Sequence, residues 1–294
     1  HNIMIYIVYA PSKSGTTSLF KALTDNKCFP VMQTHDDFTD IGIHDASAET
    51  EFVRYIRMHF APFLKSPTEF DENITWQTDH YSCALFFDTH EIQRLKFIEY
   101  IKRHDVKFIT PLRNPISRSI SAMIHWLDIK AIEALYQRKL RRSLDLNNIQ
   151  AHDLIKLNHM PIEMILSRYS VNKTLSNKDV CDIYNSIFHD DLYREYTNVF
   201  YNLKKHFNFN INLEHKLHQC ISQSQHSLFV YRLEDLTSII PVLYEYVNIG
   251  DTYEFPHERN KHKRPQYIYK GNINELSEFI KYKSCISNFS MATI

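Results

Sequence analysis

The 294-residue chain has no net charge: 34 lysines and arginines balance 34 aspartates and glutamates. A protein held to nucleic acid or to an anionic membrane by a broad basic field is therefore not expected, and any anion site must be local. Nor does the sequence contain a run of about 18 apolar residues, so no transmembrane segment is expected. The five cysteines (Cys28, Cys83, Cys181, Cys220 and Cys285) are scattered, with no C-x-x-C pair. That pattern argues against a disulfide framework and for buried free thiols in a reducing compartment. Internal repeats, low-complexity tracts and a leader pattern are all missing. A cytoplasmic location is the expectation, with the Golgi lumen or a membrane-associated position as the alternative should an anchor precede this sequence. Histidine is plentiful at 17, but metal-ligand spacing is not. The tightest cluster, His215-Lys-Leu-His218-Gln-Cys220, has no second ligand pair nearby; a solvated helix face is expected there, and no metal site.

What the chain does have begins at Ile5-Tyr-Ile-Val-Tyr-Ala-Pro-Ser-Lys-Ser-Gly-Thr-Thr-Ser-Leu-Phe20, an apolar, β-branched run that breaks into a polar loop and then a helix-forming segment. Such a turn points the first amides of the helix into the loop. With Lys13 and the hydroxyls of Ser14, Thr16, Thr17 and Ser18 they would surround an anionic group. The magnesium-nucleotide pattern G-x-x-x-x-G-K-[ST] needs a lysine directly after its second glycine, whereas Thr16 follows Gly15 here and Lys13 stands two residues before it. An ordinary ATPase or GTPase is disfavoured.

A second strand-turn-helix pattern runs from Val106 to Trp126, with Arg113 at the strand end, Pro115 closing the turn and Ser121 eight residues beyond Arg113. The planar donor fork of arginine fits phosphate oxygens in pairs, and Ser121 would face the same ligand from two turns into the helix. An Arg-Asn-Pro turn can also simply cap a helix, and either motif alone is a weak signal. Their conjunction carries the weight.

Together the two segments resemble the sulfotransferase superfamily, in which P-K-S-G-T-T reads the 5′-phosphosulfate and R-[ND]-P-x-x-R-x-x-S reads the 3′-phosphate of PAPS (3′-phosphoadenosine 5′-phosphosulfate). The resemblance implies PAPS as the sulfuryl donor, with PAP as its product and no metal. It assigns Ser12, Lys13, Ser14, Gly15, Thr16, Thr17 and Ser18 to one end of the nucleotide and Arg113 and Ser121 to the other. Sulfotransferases also often close a basic C-terminal loop over the 3′-phosphate. The run His257-Glu-Arg-Asn-Lys-His-Lys-Arg-Pro265 offers Lys261, Lys263 and Arg264 for this, although the family's Arg-Lys-Gly form is not cleanly present.

Strands at 3–10, 29–33 and 106–111 alternate with helices at 16–25, 48–64, 91–103 and 115–127, while Cys83-Ala-Leu-Phe-Phe-Asp88 reads as a strand or a buried turn. Alternation of this kind predicts an α/β fold, a parallel sheet between helical layers, whose ligand crevice lies at the carboxyl ends of the strands. The resemblance narrows this to the P-loop-like sulfotransferase fold, and residues 1–294 read as a single domain. Helical patterns broken by polar stretches from about 128 to 225 predict a helical insertion. Ser227-Leu-Phe-Val-Tyr-Arg-Leu-Glu-Asp-Leu236 returns to strand and helix, and the family commonly has a strand ending in a similar Glu-Asp-Leu.

Sulfuryl transfer needs little covalent chemistry from the protein, which positions the groups and stabilises charge. Lys13 is the expected partner of the leaving oxygen. An acceptor hydroxyl needs a base, and His35, in Pro30-Val-Met-Gln-Thr-His-Asp-Asp37, follows the second strand beside the expected crevice; an imidazole titrates near ~6.5, suited to this task. Asp36 or Asp37 would orient it. His80, His125 and Glu234 are the rivals. The expected reaction moves a sulfuryl group from PAPS to a hydroxyl, with a glycan as the acceptor class; Trp76, Tyr81, Trp126 and Tyr136 are candidates to stack on sugar rings. The alternative is a P-loop nucleotide or small-molecule kinase, and a non-catalytic nucleotide-binding protein is the third reading.

Overall fold

The computed structural model describes residues 3–35, 37–45, 50–65, 82–123, 194–213, 216–250 and 254–255, with single positions or short runs at 176–178, 181, 184, 272, 275, 276 and 278–280. The chain divides into two compact units. His1–Arg113, Glu195–Arg259 and Met291–Ile294 make up the first, and Asn114–Arg194 and Asn260–Ser290 the second.

The first unit is built on β1 (Met4–Tyr9), α1 (Thr16–Asp25), β2 (Val31–Thr34), β3 (Asp40–His44), α2 (Glu51–Phe60), β4 (Leu64–Lys65), β5 (Cys83–Phe86), α3 (Glu91–Ile101), β6 (Asp105–Leu112), α4 (Arg194–Phe207), β7 (His218–Ser222), β8 (His226–Arg232) and α5 (Leu236–Val247). The sheet has eight strands in the order β4-β5-β3-β2-β1-β6-β8-β7. Its four middle strands, β2-β1-β6-β8, run parallel. The expectation of a parallel sheet holds for these alone, because β3, β5 and β4 on one side and β7 on the other add antiparallel edges.

The apolar runs that marked the central strands are continuous because both sheet faces are covered. Along β1, Ile5, Ile7 and Tyr9 enter a core shared with α2, α3 and α4, while Val8 enters a second core with Leu19 and Leu23 of α1 and Leu243 of α5. In β6 Phe108 faces the first core and Ile109 the second; in β8 Val230 and Phe229 do the same. Helices thus flank both faces. α4 contributes Tyr196, Val199, Leu203 and Phe207, all buried and all along one stripe at helical spacing.

β7 falls inside the stretch read as helical. Its residues are half-buried or exposed and pair only with β8, so an edge strand of mixed polarity left no apolar alternation to read. His218 and Cys220 accordingly lie on a strand and not on a helix face, and Cys220 is exposed, whereas Cys28, Cys83 and Cys181 are buried free thiols. Most of the expected insertion, from 124 to 175, lies outside the described residues, as does Cys285.

In the second unit residues 115–123 are helical, with Ile116, Ile120 and Met123 buried. Asn114 caps this helix: its Oδ1 accepts from the amides of Ile116 at 3.1 Å and Ser117 at 3.2 Å, and Pro115 occupies the first helical position. No helix among the described residues is long and apolar enough to cross a membrane.

Candidate functional site

From β1 the chain passes through α1 to β2 on one side, while β6 lies against the other side of β1. The direction of strand succession therefore reverses between β1 and β6, and in an open α/β sheet the crevice at the carboxyl ends of such a pair is where ligands are held. Both motifs singled out in the sequence leave the sheet here. The Ala10–Gly15 loop follows β1, Arg113 follows β6, and the Arg113 guanidinium donates to the Lys13 carbonyl at 3.4 Å although the two residues are 100 apart in the chain.

The loop's shape comes from two left-handed residues, Lys13 at φ 62° and Gly15 at φ 80°. Gly15 is one of four glycines in the chain and stands at the N-cap of α1, where no side chain caps the helix. A Cβ built on it would meet Leu233 Cδ1 at 3.0 Å. The first amides of α1 are thus left without a side-chain acceptor at the positive end of the helix. Ser14 between these two residues is fully buried, and its hydroxyl has no hydrogen-bond partner. Leaving a buried hydroxyl unpaired costs about 1–3 kcal/mol, which an anion in the loop would offset.

Behind the loop runs a line of polar contacts. Gln33 Nε2 donates to Thr16 Oγ1 at 2.9 Å and lies 3.4 Å from His35 Nε2. His35 Nδ1 lies 2.7 Å from the Ala10 carbonyl oxygen. A carbonyl only accepts, so Nδ1 carries a proton, and with Nε2 unprotonated the Gln33 amide is the donor in their 3.4 Å contact. That is the tautomer a base working through Nε2 requires. The group on Nδ1 is a backbone carbonyl, and Asp37 is turned to Arg94, with which it pairs and whose Nη1 also donates to the Asp37 carbonyl at 2.6 Å. Asp36 lies outside the described residues.

At the loop's other edge, Glu195 Oε2 accepts from the amide of Ser12 at 2.8 Å and from its hydroxyl at 2.9 Å. Ser12, expected among the nucleotide ligands, is engaged by a carboxylate of its own chain. The next residue, Tyr196, donates from its hydroxyl to the Arg113 carbonyl at 2.5 Å.

Ser12, Lys13, Ser14, Gly15, Thr16, His35 and Arg113 therefore gather at the carboxyl ends of β1, β2 and β6 in the first unit, with Thr17 and Ser18 on the first turn of α1. Ser121 lies in the 115–123 helix of the second unit, and Glu234 is exposed in the short turn after β8. Arg264, Lys261, Lys263, His80, His125 and the four candidate sugar-stacking aromatics lie outside the described residues. Gln33, Glu195 and Tyr196 were missed. Gln33 was readable, because residues two apart on a strand share a face and it precedes His35 by two. The Ser12–Glu195 contact spans 183 residues and left no local signal.

A separate cavity of about 490 Å³ opens between α2 and α3, lined by Tyr55, His59, Tyr100 and Arg103 among others, and no loop residue borders it. Among the described residues no group of three or more His, Cys, Asp or Glu side chains is placed to hold a metal ion. Compared with known proteins, the chain matches no family model, no curated protein and no solved structure.

Proposed function

We propose that the protein is a PAPS-dependent sulfotransferase that moves a sulfuryl group to an acceptor hydroxyl, with a carbohydrate as the acceptor class, on an α/β frame of the P-loop-like sulfotransferase kind. One observation carries the reading: an uncapped helix N-terminus with a buried, unpartnered Ser14 hydroxyl, and an arginine from the adjacent parallel strand, meet where the strand order reverses. The residues fit the donor's phosphate in that the loop offers donors without their own acceptor, the buried Ser14 hydroxyl and the uncapped first amides of α1.

The donor supplies an SO₃ unit carried on a phosphate leaving group. In this reading the amides of Gly15 to Thr17 and the Ser14 hydroxyl hold the 5′ phosphate oxygens, and the Lys13 ammonium neutralises the oxygen released as the S–O bond breaks. Arg113 holds the 3′-phosphate. His35, its Nδ1 proton held by the Ala10 carbonyl, takes the acceptor's proton at Nε2. The order of lysine and glycine in the loop supports this reading over a P-loop kinase.

Calorimetry with PAP, ADP and ATP, with and without magnesium, tests the proposal. Metal-independent preference for PAP is expected; magnesium-dependent preference for ATP would replace the proposal with the kinase reading. Lys13→Ala should weaken PAP binding and slow labelled-sulfate transfer by about 10²–10³-fold, as loss of one charge-stabilising donor does elsewhere.

A further inference from the structure

We propose that the first turn of α4 is a clamp that fixes the distance between the two anion grips, with Glu195 and Tyr196 as its positioning residues. The proposal rests on the nucleotide reading above. Two consecutive residues of one helix reach the two lips of the crevice: Glu195 binds the amide and hydroxyl of Ser12 at the start of the phosphate loop, and the Tyr196 hydroxyl binds the Arg113 carbonyl. The helix that carries them is itself anchored. Tyr196, Val199, Leu203 and Phe207 are buried in the core, and Asn202 Nδ2 donates to the Tyr9 hydroxyl at 3.2 Å, tying α4 to the end of β1.

The need for such a clamp follows from where the ladder stops. β1 and β6 are in register through Val8 and Ile109, and the Thr110 hydroxyl adds one tie to the Tyr9 carbonyl at 2.8 Å. Past that point β1 leaves the sheet while β6 runs on against β8 to Leu112, so pairing between β1 and β6 no longer sets the separation of the loop from Arg113. A ligand with two charged ends gains from its second contact in proportion to the effective concentration of the second grip, which falls when the spacing wanders. α4 restores the spacing. A carboxylate beside an anion loop works against anion affinity by repulsion, so affinity alone does not account for Glu195. Holding Ser12 does account for it, and it makes Ser12 part of the support and not a phosphate ligand.

The test compares three ligands by calorimetry: PAP, which needs both grips, and 5′-AMP and 3′-AMP, which each need one. Glu195→Ala and Tyr196→Phe should each weaken PAP by roughly tenfold while moving either monophosphate by less than about twofold. Glu195→Gln keeps an acceptor oxygen for Ser12 and should recover most of the PAP affinity. Thermal unfolding checks that each variant is folded, and if Glu195→Ala is not, the Tyr196→Phe and Glu195→Gln pair decides. Equal loss for all three ligands, tighter binding of all three, or unchanged PAP binding would overturn the clamp and leave the nucleotide reading standing. An unmodified protein that binds PAP no better than the monophosphates would overturn both.

Discussion

Gly15 needs a left-handed backbone and has no room for a side chain: its φ is 80°, and Leu233 Cδ1 sits 3.0 Å from where a Cβ would be. Gly15→Ala should therefore lower stability by about 1–2 kcal/mol, the usual cost of left-handed backbone in a residue with a Cβ. Urea unfolding reads this directly, and an unchanged midpoint would mean that the loop relaxes freely. Gln33 acts through others. Its amide contacts both Thr16 and His35, so Gln33→Leu should leave the fold intact and cut labelled-sulfate transfer by about 10-fold or more, as supporting hydrogen-bond partners do at other sites. Full transfer by His35→Ala would remove the base assignment altogether. Residue types with their own chemistry, such as Lys13, His35 and Arg113, were legible because their spacing to a strand end is local. Glu195 and Tyr196 were not, since their roles exist only after α4 has packed onto β1 and β6.

Toward the amino-terminal end of the parallel strands lie three half-buried histidines. His104 directly precedes β6 and has no hydrogen bond on either ring nitrogen; His226 opens β8 and sits 3.2 Å from the Lys102 carbonyl; His206 lies near the end of α4. Burial lowers the pKa of all three. Asp105 and Glu51 oppose this at His104 and Asp37 at His206, while Lys102 and Arg94 reinforce it at His206. A depressed folded-state pKa means that the unfolded chain takes up the proton first. The stability these groups contribute is present above about pH 6.5 and is lost as pH falls from there through their folded values. Thermal unfolding from pH 7.5 down to 5 should show a falling midpoint, less steep in His104→Gln; a flat profile would contradict it. The strands β1, β2 and β6 and the helices α1 and α3 were readable to within one or two residues, because continuous apolar runs and stripes at helical spacing are local. β3 and β7 were not, the first being five residues with a glycine at its centre and the second a polar edge.

On the scale of the whole molecule, stability and the site meet in the middle of one sheet. Phe108 is fully buried on β6, 4.5 Å from the ring of Phe207 on α4. Phe108→Ala should cost about 3–5 kcal/mol and, by loosening α4, weaken PAP more than it weakens either monophosphate. Denaturant titration and calorimetry read the two effects separately. The α/β class followed from the sequence because the alternation of strands and helices is general. The antiparallel edges and the division into two units depend on long-range pairing that no short segment encodes. The account's central claim is that the loop after β1 and Arg113 after β6 hold opposite ends of one nucleotide, and a crystal structure grown with PAP tests it most directly. The account predicts the 5′-phosphate within hydrogen-bond reach of the Ser14 hydroxyl and the first amides of α1, and the 3′-phosphate on the Arg113 guanidinium. PAP bound elsewhere, or held by the loop with Arg113 turned away, would contradict it.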